Sequence, residues 1–126
     1  MTKPTLLIVE DDPLIALDAA GQAEAAGYST IVASSVAEAQ RILALEHVDA
    51  AVLDFMLPDG VVTPVAHALR EAHLPYAIVS GTSVADIEKT GLLNPPVTAK
   101  PADYLRVIAN LMRGDEMPAR ATIKVG

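Results

Sequence analysis

The chain has 126 residues with a formal charge of −7, 52% of them are hydrophobic, and it contains no cysteine. This composition is typical of one folded domain with a sizeable core, and it excludes a disordered chain, disulfides and thiolate metal sites. The acidic balance argues against nucleic acid as a partner, because binding to a phosphate backbone requires clustered Lys and Arg. No apolar run approaches the roughly 20 residues of a membrane helix or resembles a signal peptide, so we expect no membrane contact and a cytoplasmic location.

The chain begins with a predicted strand and a predicted helix. Residues 5–10, TLLIVE, form an apolar run without helical periodicity, as in a strand that is buried on both faces. Residues 12–27 predict a helix with Pro13 in its first turn and Gly27 at its end. On this helix we expect one buried face, made by Leu14, Leu17 and either Ala20 or Gly21.

The next elements are a second strand, a second helix and a third strand. Residues 28–33 and 49–54 show the strand pattern, and residues 35–47 lie between them as a helix. Ser35 is placed to cap this helix, with Glu38 three residues later as in a capping box. Its apolar stripe is expected to consist of Val36, Ala39, Ile42 and Leu43.

A third helix is predicted at residues 63–73, with Thr63 as its cap and Pro64 at its first position. After it come a strand, a short helix, a weaker strand and an amphipathic helix, at residues 75–80, 83–91, 96–99 and 102–114. The remaining residues have no helical periodicity and are too few for a second domain. We therefore expect one domain at residues 1–113 and a flexible tail at residues 114–126.

Strands that alternate with helices predict an α/β fold with a parallel sheet covered on both faces. Five such repeats predict a doubly wound, flavodoxin-like sheet with strand order 2-1-3-4-5. In this fold, ligands bind beyond the carboxyl ends of the strands, where the strand order reverses. Reactive side chains follow four of the predicted strands and are expected to meet on this rim: Glu10, Asp11, Asp12, Asp54, Ser80 and Lys100.

This set of side chains predicts phosphoryl transfer onto Asp54. Neighbouring carboxylates repel one another by about 4 kcal/mol per pair at an effective dielectric near 20, and Mg²⁺ relieves that repulsion. Lys100 and Ser80 are then suited to contact phosphoryl oxygens. Each residue also has an ordinary interpretation, as a loop cap, a turn residue or a surface lysine. Their joint occurrence at four strand ends favours a site.

The stretches LLIVEDDP, AAVLDFMLPDG, AIVSG and TAKP resemble the response-regulator receiver (CheY-like) family from about Leu6 to Met112. The resemblance implies that Asp54 accepts a phosphoryl group from a histidine kinase or phosphotransfer protein. It also implies that Ser80 is the switch hydroxyl and that Lys100 binds phosphate. A Mg²⁺ ion is then expected at Glu10, Asp11, Asp54 and the backbone carbonyl of Met56, with Asp12 as a less favoured contributor.

The chain departs from the family pattern at Val97, where members usually carry Tyr or Phe as a second switch element. Gly81 after the switch hydroxyl and a short loop after Asp54 resemble an alphaproteobacterial single-domain subgroup with a Phe-Ala-Thr-Gly-Tyr motif. The match is partial, because Ile78 to Thr82 lack the aromatic residues of that motif.

The resemblance implies a stand-alone response regulator that signals by protein–protein contact through the face of helix four, strand five and helix five. We expect no enzymatic activity beyond its own phosphorylation and slow dephosphorylation, and a monomer or weak dimer. The alternative is a receiver-like binding module that works independently of phosphate. A hydrolase of the haloacid-dehalogenase type is disfavoured, because Met56 stands where its second Asp is needed. A flavodoxin is disfavoured by the lack of a Ser/Thr/Gly-rich phosphate loop.

Overall fold

A computed structural model of the chain describes residues 3–100 and 102–112. The predicted tail at residues 114–126 lies outside the described residues. The strands, in chain order, are β1 (Thr5–Val9), β2 (Ser29–Ala33), β3 (Ala50–Leu53), β4 (Met56–Leu57), β5 (Gly60–Val61), β6 (Tyr76–Ser80) and β7 (Val97–Ala99). The helices are α1 (Pro13–Ala25), α2 (Val36–Leu45), α3 (Thr63–Glu71), α4 (Val84–Glu88) and α5 (Tyr104–Met112).

Five of the strands form one parallel sheet with the order β2-β1-β3-β6-β7. Since β6 and β7 are its fourth and fifth strands along the chain, the predicted doubly wound fold and strand order are confirmed. In the register of the sheet, Val9 of β1 lies beside Leu53 of β3, and Ser80 lies beside Ala99. The strand order reverses between β1 and β3, so residues that follow these two strands lie at the reversal point.

Helices cover both faces of the sheet. One face packs against α1 and α5, with a buried cluster that includes Leu6, Ile8, Val52, Val79, Ala19, Ala23, Val107 and Ile108. The opposite face packs against α2, α3 and α4, with a cluster that includes Leu7, Val9, Leu53, Ile78, Val36, Ala39, Val65, Leu69 and Ile87. No helix in the described part of the chain is long and apolar enough to cross a membrane.

The buried face predicted for α1 is wrong. Leu14 and Leu17 are 76% and 71% exposed, and the buried residues of the helix are Ala16, Ala19 and Ala23. The helix is rich in alanine, so apolar residues occur on more than one of its faces and periodicity cannot select one. Small side chains on the buried face allow the helix backbone to approach the sheet closely, and the two leucines point outward.

The predicted helix caps are confirmed for α2 and wrong for α3. Ser35 Oγ accepts a hydrogen bond from Glu38 N at 3.1 Å, and Glu38 Oε1 reaches back to Ser34 N at 2.7 Å. Helix α3 has no side-chain cap, although proline does occupy its first turn. The Thr63 hydroxyl is instead buried and hydrogen-bonds to the hydroxyl of Thr90.

Strands β4 and β5 form an antiparallel hairpin that the sequence analysis does not predict. Each has two residues, which is too short to show the alternation by which a strand is predicted. Phe55 and Leu57 are buried on either side of exposed Met56. Gly60, the first residue of β5 after the turn, adopts a φ of 138°, a backbone conformation that favours glycine. The hairpin is the short loop that the sequence places after Asp54.

Candidate functional site

Three carboxylates converge where the strand order reverses. Glu10 follows β1 and Asp54 follows β3, and Asp54 N donates to Val9 O at 2.8 Å, which holds the two strand ends together. Carboxylate oxygens of Glu10, Asp11 and Asp54 lie within 4.8 Å of one another. Glu10 is buried, Asp54 is half-buried and Asp11 is exposed, so the cluster opens to solvent on one side.

Lys100 reaches this cluster from the end of β7. Its Nζ lies 3.3 Å from Glu10 Oε1 and 3.3 Å from Asp54 Oδ1. The side chains of Glu10 and Asp54 are only 5% and 12% exposed, so these ion pairs are partly shielded from water. One ammonium faces three carboxylates, which leaves the site with an excess of negative charge.

The pKa values of the site reflect burial and this crowding. Burial raises the pKa of Glu10, and the nearby Asp54 adds to the rise, while the backbone N–H of Asp12 and the Lys100 ammonium oppose it. Burial alone would lower the pKa of Lys100, but the Asp54 and Glu10 carboxylates outweigh it and raise the pKa. Burial and the Glu10 carboxylate raise the pKa of Tyr104. Such perturbed groups are typical of functional sites.

Ser80 is the last residue of β6, the strand that neighbours β3. It is buried, its carbonyl accepts from Lys100 N at 3.2 Å, and its Oγ accepts from Thr82 N at 3.0 Å. Since the Oγ is an acceptor in that bond, the hydroxyl proton can be donated elsewhere. The structure thus places Ser80 next to Lys100 in the sheet, as the strand order predicted.

Asp12 is used as a helix cap. Its Oδ1 accepts from Leu14 N at 2.9 Å and Ile15 N at 3.3 Å, so it caps α1. It is not in the acidic cluster found among the described residues, which contains Glu10, Asp11 and Asp54. An Asp followed by Pro at the start of a predicted helix is a capping pattern that the sequence could have revealed.

Tyr104 is a further neighbour of the site. The first residue of α5, it lies near Ile15 and Ala19 of α1 and near Glu10 and Asp54. No motif in the sequence indicates this proximity, because it depends on how α5 crosses the sheet. The aromatic ring therefore forms one apolar wall beside the carboxylates.

The residues present fit a hard divalent cation such as Mg²⁺. All three side-chain donors are carboxylates, which Mg²⁺ prefers, and one side of the cluster is open to the waters that it usually retains. Val62 N donates to Phe55 O, and hydrogen-bonded and non-hydrogen-bonded pairs alternate in an antiparallel ladder. The Met56–Val61 pair is therefore the non-hydrogen-bonded one. The Met56 carbonyl points away from the partner strand, and its part in binding the ion stays a prediction.

Comparisons with known proteins identify the family. No family model matches the chain. The transcriptional regulatory protein DpiA of Escherichia coli (strain K12) is 37% identical over 91 residues, which are 70% of this chain and 40% of DpiA. The non-phosphorylated HemR receiver domain of Leptospira biflexa superposes with a TM-score of 0.73 at 25% identity, over 88% of this chain and 93% of that one. The chain is a response-regulator receiver domain.

A second solved structure agrees with the fold of this receiver. The CheY-like response regulator receiver domain protein of Methanospirillum hungatei JF-1 has a TM-score of 0.79 at 20% identity, over 99% of this chain and 100% of that one. This receiver spans about 40% of the length of the curated relatives it matches. Its place in the Phe-Ala-Thr-Gly-Tyr subgroup stays a prediction, as do the roles of its individual site residues.

Proposed function

We propose that this receiver accepts a phosphoryl group on Asp54 from a phosphohistidine of a histidine kinase or phosphotransfer protein. The observation that carries the proposal is the geometry of Asp54. Its carboxylate lies with those of Glu10 and Asp11 and is paired at 3.3 Å with Lys100. A carboxylate nucleophile, a cation for the transferred group and an acidic cluster suited to a metal ion are the parts that this transfer requires.

The transfer step uses the two oxygens of Asp54 differently. Oδ1 accepts from Phe55 N at 2.9 Å and is paired with Lys100, so the carboxylate is held in one orientation. We expect Oδ2 to attack phosphorus, forming a P–O bond while the P–N bond to the donor imidazole breaks. The donor ring is protonated on its other nitrogen before transfer, so it leaves as neutral imidazole. A carboxylate nucleophile needs no general base. Lys100 then pairs with an oxygen of the transferred group.

Glu10, Asp11, Asp54 and the Met56 carbonyl would hold Mg²⁺, which when bound supplies positive charge that shields the phosphoryl oxygens from the carboxylates. The excess negative charge of these residues repels an unshielded phosphate, so the proposal implies that phosphorylation depends on the metal. Ser80 would donate its hydroxyl proton to another phosphoryl oxygen.

The phosphorylated receiver would signal to another protein through the face formed by α4, β7 and α5. With Val97 in place of an aromatic residue, Ser80 and the short helix α4 would carry the conformational change. We propose a cytoplasmic monomer or weak dimer that binds no nucleic acid, in keeping with its charge of −7. Its only chemistry would be its own phosphorylation and slow dephosphorylation.

The test is incubation with Mg²⁺ and acetyl phosphate, followed by intact mass measurement. We expect one phosphoryl adduct on the wild type, none without Mg²⁺, and none on Asp54→Asn. The matched control is Asp86→Asn, which removes an exposed carboxylate on α4 that pairs with Lys89. It should take up phosphate like the wild type. A wild type without an adduct would favour the phosphate-independent binding module.

A further inference from the structure

The hairpin that follows Asp54 is attached to a distant part of the chain. Asp59 lies in its turn and is exposed to solvent. Its Oδ1 nevertheless accepts from Val36 N at 2.9 Å, and its Oδ2 accepts from Ala37 N at 3.0 Å. These amides belong to the first two residues of α2, which have no partner within the helix. One carboxylate of the hairpin therefore caps a helix that starts 23 residues earlier.

The start of α2 is capped by two side chains that accept hydrogen bonds from different backbone amides. Ser35 Oγ takes the third amide, Glu38 N, at 3.1 Å and lies next to the helix in the chain. Asp59 takes the first two amides from across the fold, and these hydrogen bonds lower the pKa of its carboxyl. Both side chains cap the helix, but of the two only Asp59 also joins it to the hairpin.

The hairpin determines the position of two groups at the candidate metal site. Its backbone presents the Met56 carbonyl, which the ladder leaves free. Its first amide, Phe55 N, donates to Asp54 Oδ1 at 2.9 Å and so orients the carboxylate. The base of the hairpin is held by Val62 N, which donates to Phe55 O at 2.8 Å, whereas its tip is held to α2 by Asp59.

We propose that Asp59 is a positioning residue for the metal and phosphoryl site, acting by clamping the β4–β5 hairpin to the start of α2. Asp59 does not itself contact the reacting atoms. It limits the motion of the Met56 carbonyl and, through Phe55, the orientation of Asp54, so that these oxygens are arranged before a cation arrives. This inference rests on the proposed function, because it concerns the same site.

The test compares Asp59→Ala with Ser35→Ala, which removes the other cap of the same helix without touching the hairpin. Each should lower Tm by several degrees, since each removes a helix cap. We expect Asp59→Ala to weaken Mg²⁺ binding, measured by titration calorimetry on metal-free protein, by about three- to tenfold. It should also speed amide exchange at residues 55–62. Ser35→Ala should keep Mg²⁺ affinity within about twofold of the wild type.

Asp59→Asn is a milder variant in case Asp59→Ala does not fold. Its single carbonyl oxygen can accept from one of the two amides, so an intermediate Mg²⁺ affinity is expected. Unchanged Mg²⁺ affinity in the Asp59 variants, or equal losses in Asp59→Ala and Ser35→Ala, would overturn the inference. Phosphoryl uptake by the wild type, measured in parallel, separates this from failure of the proposed function. A wild type that binds no Mg²⁺ overturns both.

Discussion

Lys100 places one ammonium group between two carboxylates, 3.3 Å from each. It is the counter-ion of Glu10 and Asp54, and their attraction raises its pKa although burial opposes that rise. A bound divalent cation would occupy the same negative field. At the scale of single residues, Lys100 and the metal ion therefore compete electrostatically, even though phosphoryl transfer needs both.

Lys100→Met should raise Mg²⁺ affinity, because it removes a positive charge next to two of the ligands. At an effective dielectric near 20 we expect an increase of about tenfold, measured by calorimetric titration. Lys89→Met is the control, since Lys89 pairs with Asp86 on the surface of α4 and should change the affinity little. Weaker Mg²⁺ binding by Lys100→Met would show instead that the lysine arranges the carboxylates.

Glu10→Gln should stabilise the metal-free receiver at neutral pH. Because burial raises the pKa of Glu10, its contribution to stability is fully present below the ordinary value of 4.5 and is lost as pH rises through the raised pKa. Thermal unfolding with a chelator should thus show the variant a few degrees more stable at pH 7, with no advantage below about pH 4.5. The exposed Glu71→Gln is the control. An advantage that persists in acid would contradict this cause.

The site residues differ in how well the sequence reveals them. Glu10, Asp11, Asp54 and Lys100 follow strands, and the carboxyl ends of parallel strands share one edge, so their meeting was predictable from strand order alone. The capping role of Asp12 was also within reach. The hydrogen bond between Asp59 and the start of α2 was not predictable, because it depends on where the tip of the β4–β5 hairpin lies in the fold. Contacts of that kind leave no periodic pattern in the sequence from which they could be predicted.

At the scale of elements, the sequence pattern predicted ten of the twelve elements of the described chain but not their buried faces in every case. Helix α2 carries a distinct apolar stripe, and its buried Val36 and Ala39 agree with the prediction. Helix α1 has no distinct apolar stripe, and it buries alanines while Leu14 and Leu17 stay exposed. The competing faces of an alanine-rich helix are separated only by fit to the sheet.

The segment from Ser80 to Gly91 should become more ordered on phosphorylation. Helix α4 is only five residues long, and Ser80 Oγ already bonds to Thr82 N at the start of the segment, so a contact from Ser80 to phosphate would be transmitted there. Amide exchange with and without beryllofluoride should show slower exchange across residues 80–91, and Ser80→Ala should lose the effect. Helix α3 serves as an internal reference. Equal exchange in both states would contradict the idea.

At the scale of the whole molecule, the sheet is buried on both faces by aliphatic side chains. Ile108 of α5 is fully buried beneath one face, while Leu105 on the same helix is 48% exposed. Most of the apolar surface of α5 is therefore used inside the fold. The partly exposed remainder, together with β7 and α4, is the surface at which we propose that a partner protein binds.

Ile108→Ala and Leu17→Ala should differ sharply in their effect on the free energy of unfolding. We expect a loss of about 2 to 5 kcal/mol for Ile108→Ala, because it leaves a cavity in the core. Leu17→Ala should change stability by about 0.5 kcal/mol or less, since the side chain is largely in solvent. Chemical denaturation measures both. A large loss for Leu17→Ala would mean that α1 packs on its leucine face.

Asp54 is the residue that we expect to become phosphorylated. Borohydride reduces an aspartyl phosphate to homoserine, so trapping the Mg²⁺- and acetyl-phosphate-treated receiver and sequencing its peptides by mass spectrometry locates the acceptor. We expect homoserine at position 54 and no conversion of Asp11, Asp12 or Asp59. Homoserine at one of those three positions, or none at position 54 in a protein that has gained phosphate, would contradict it.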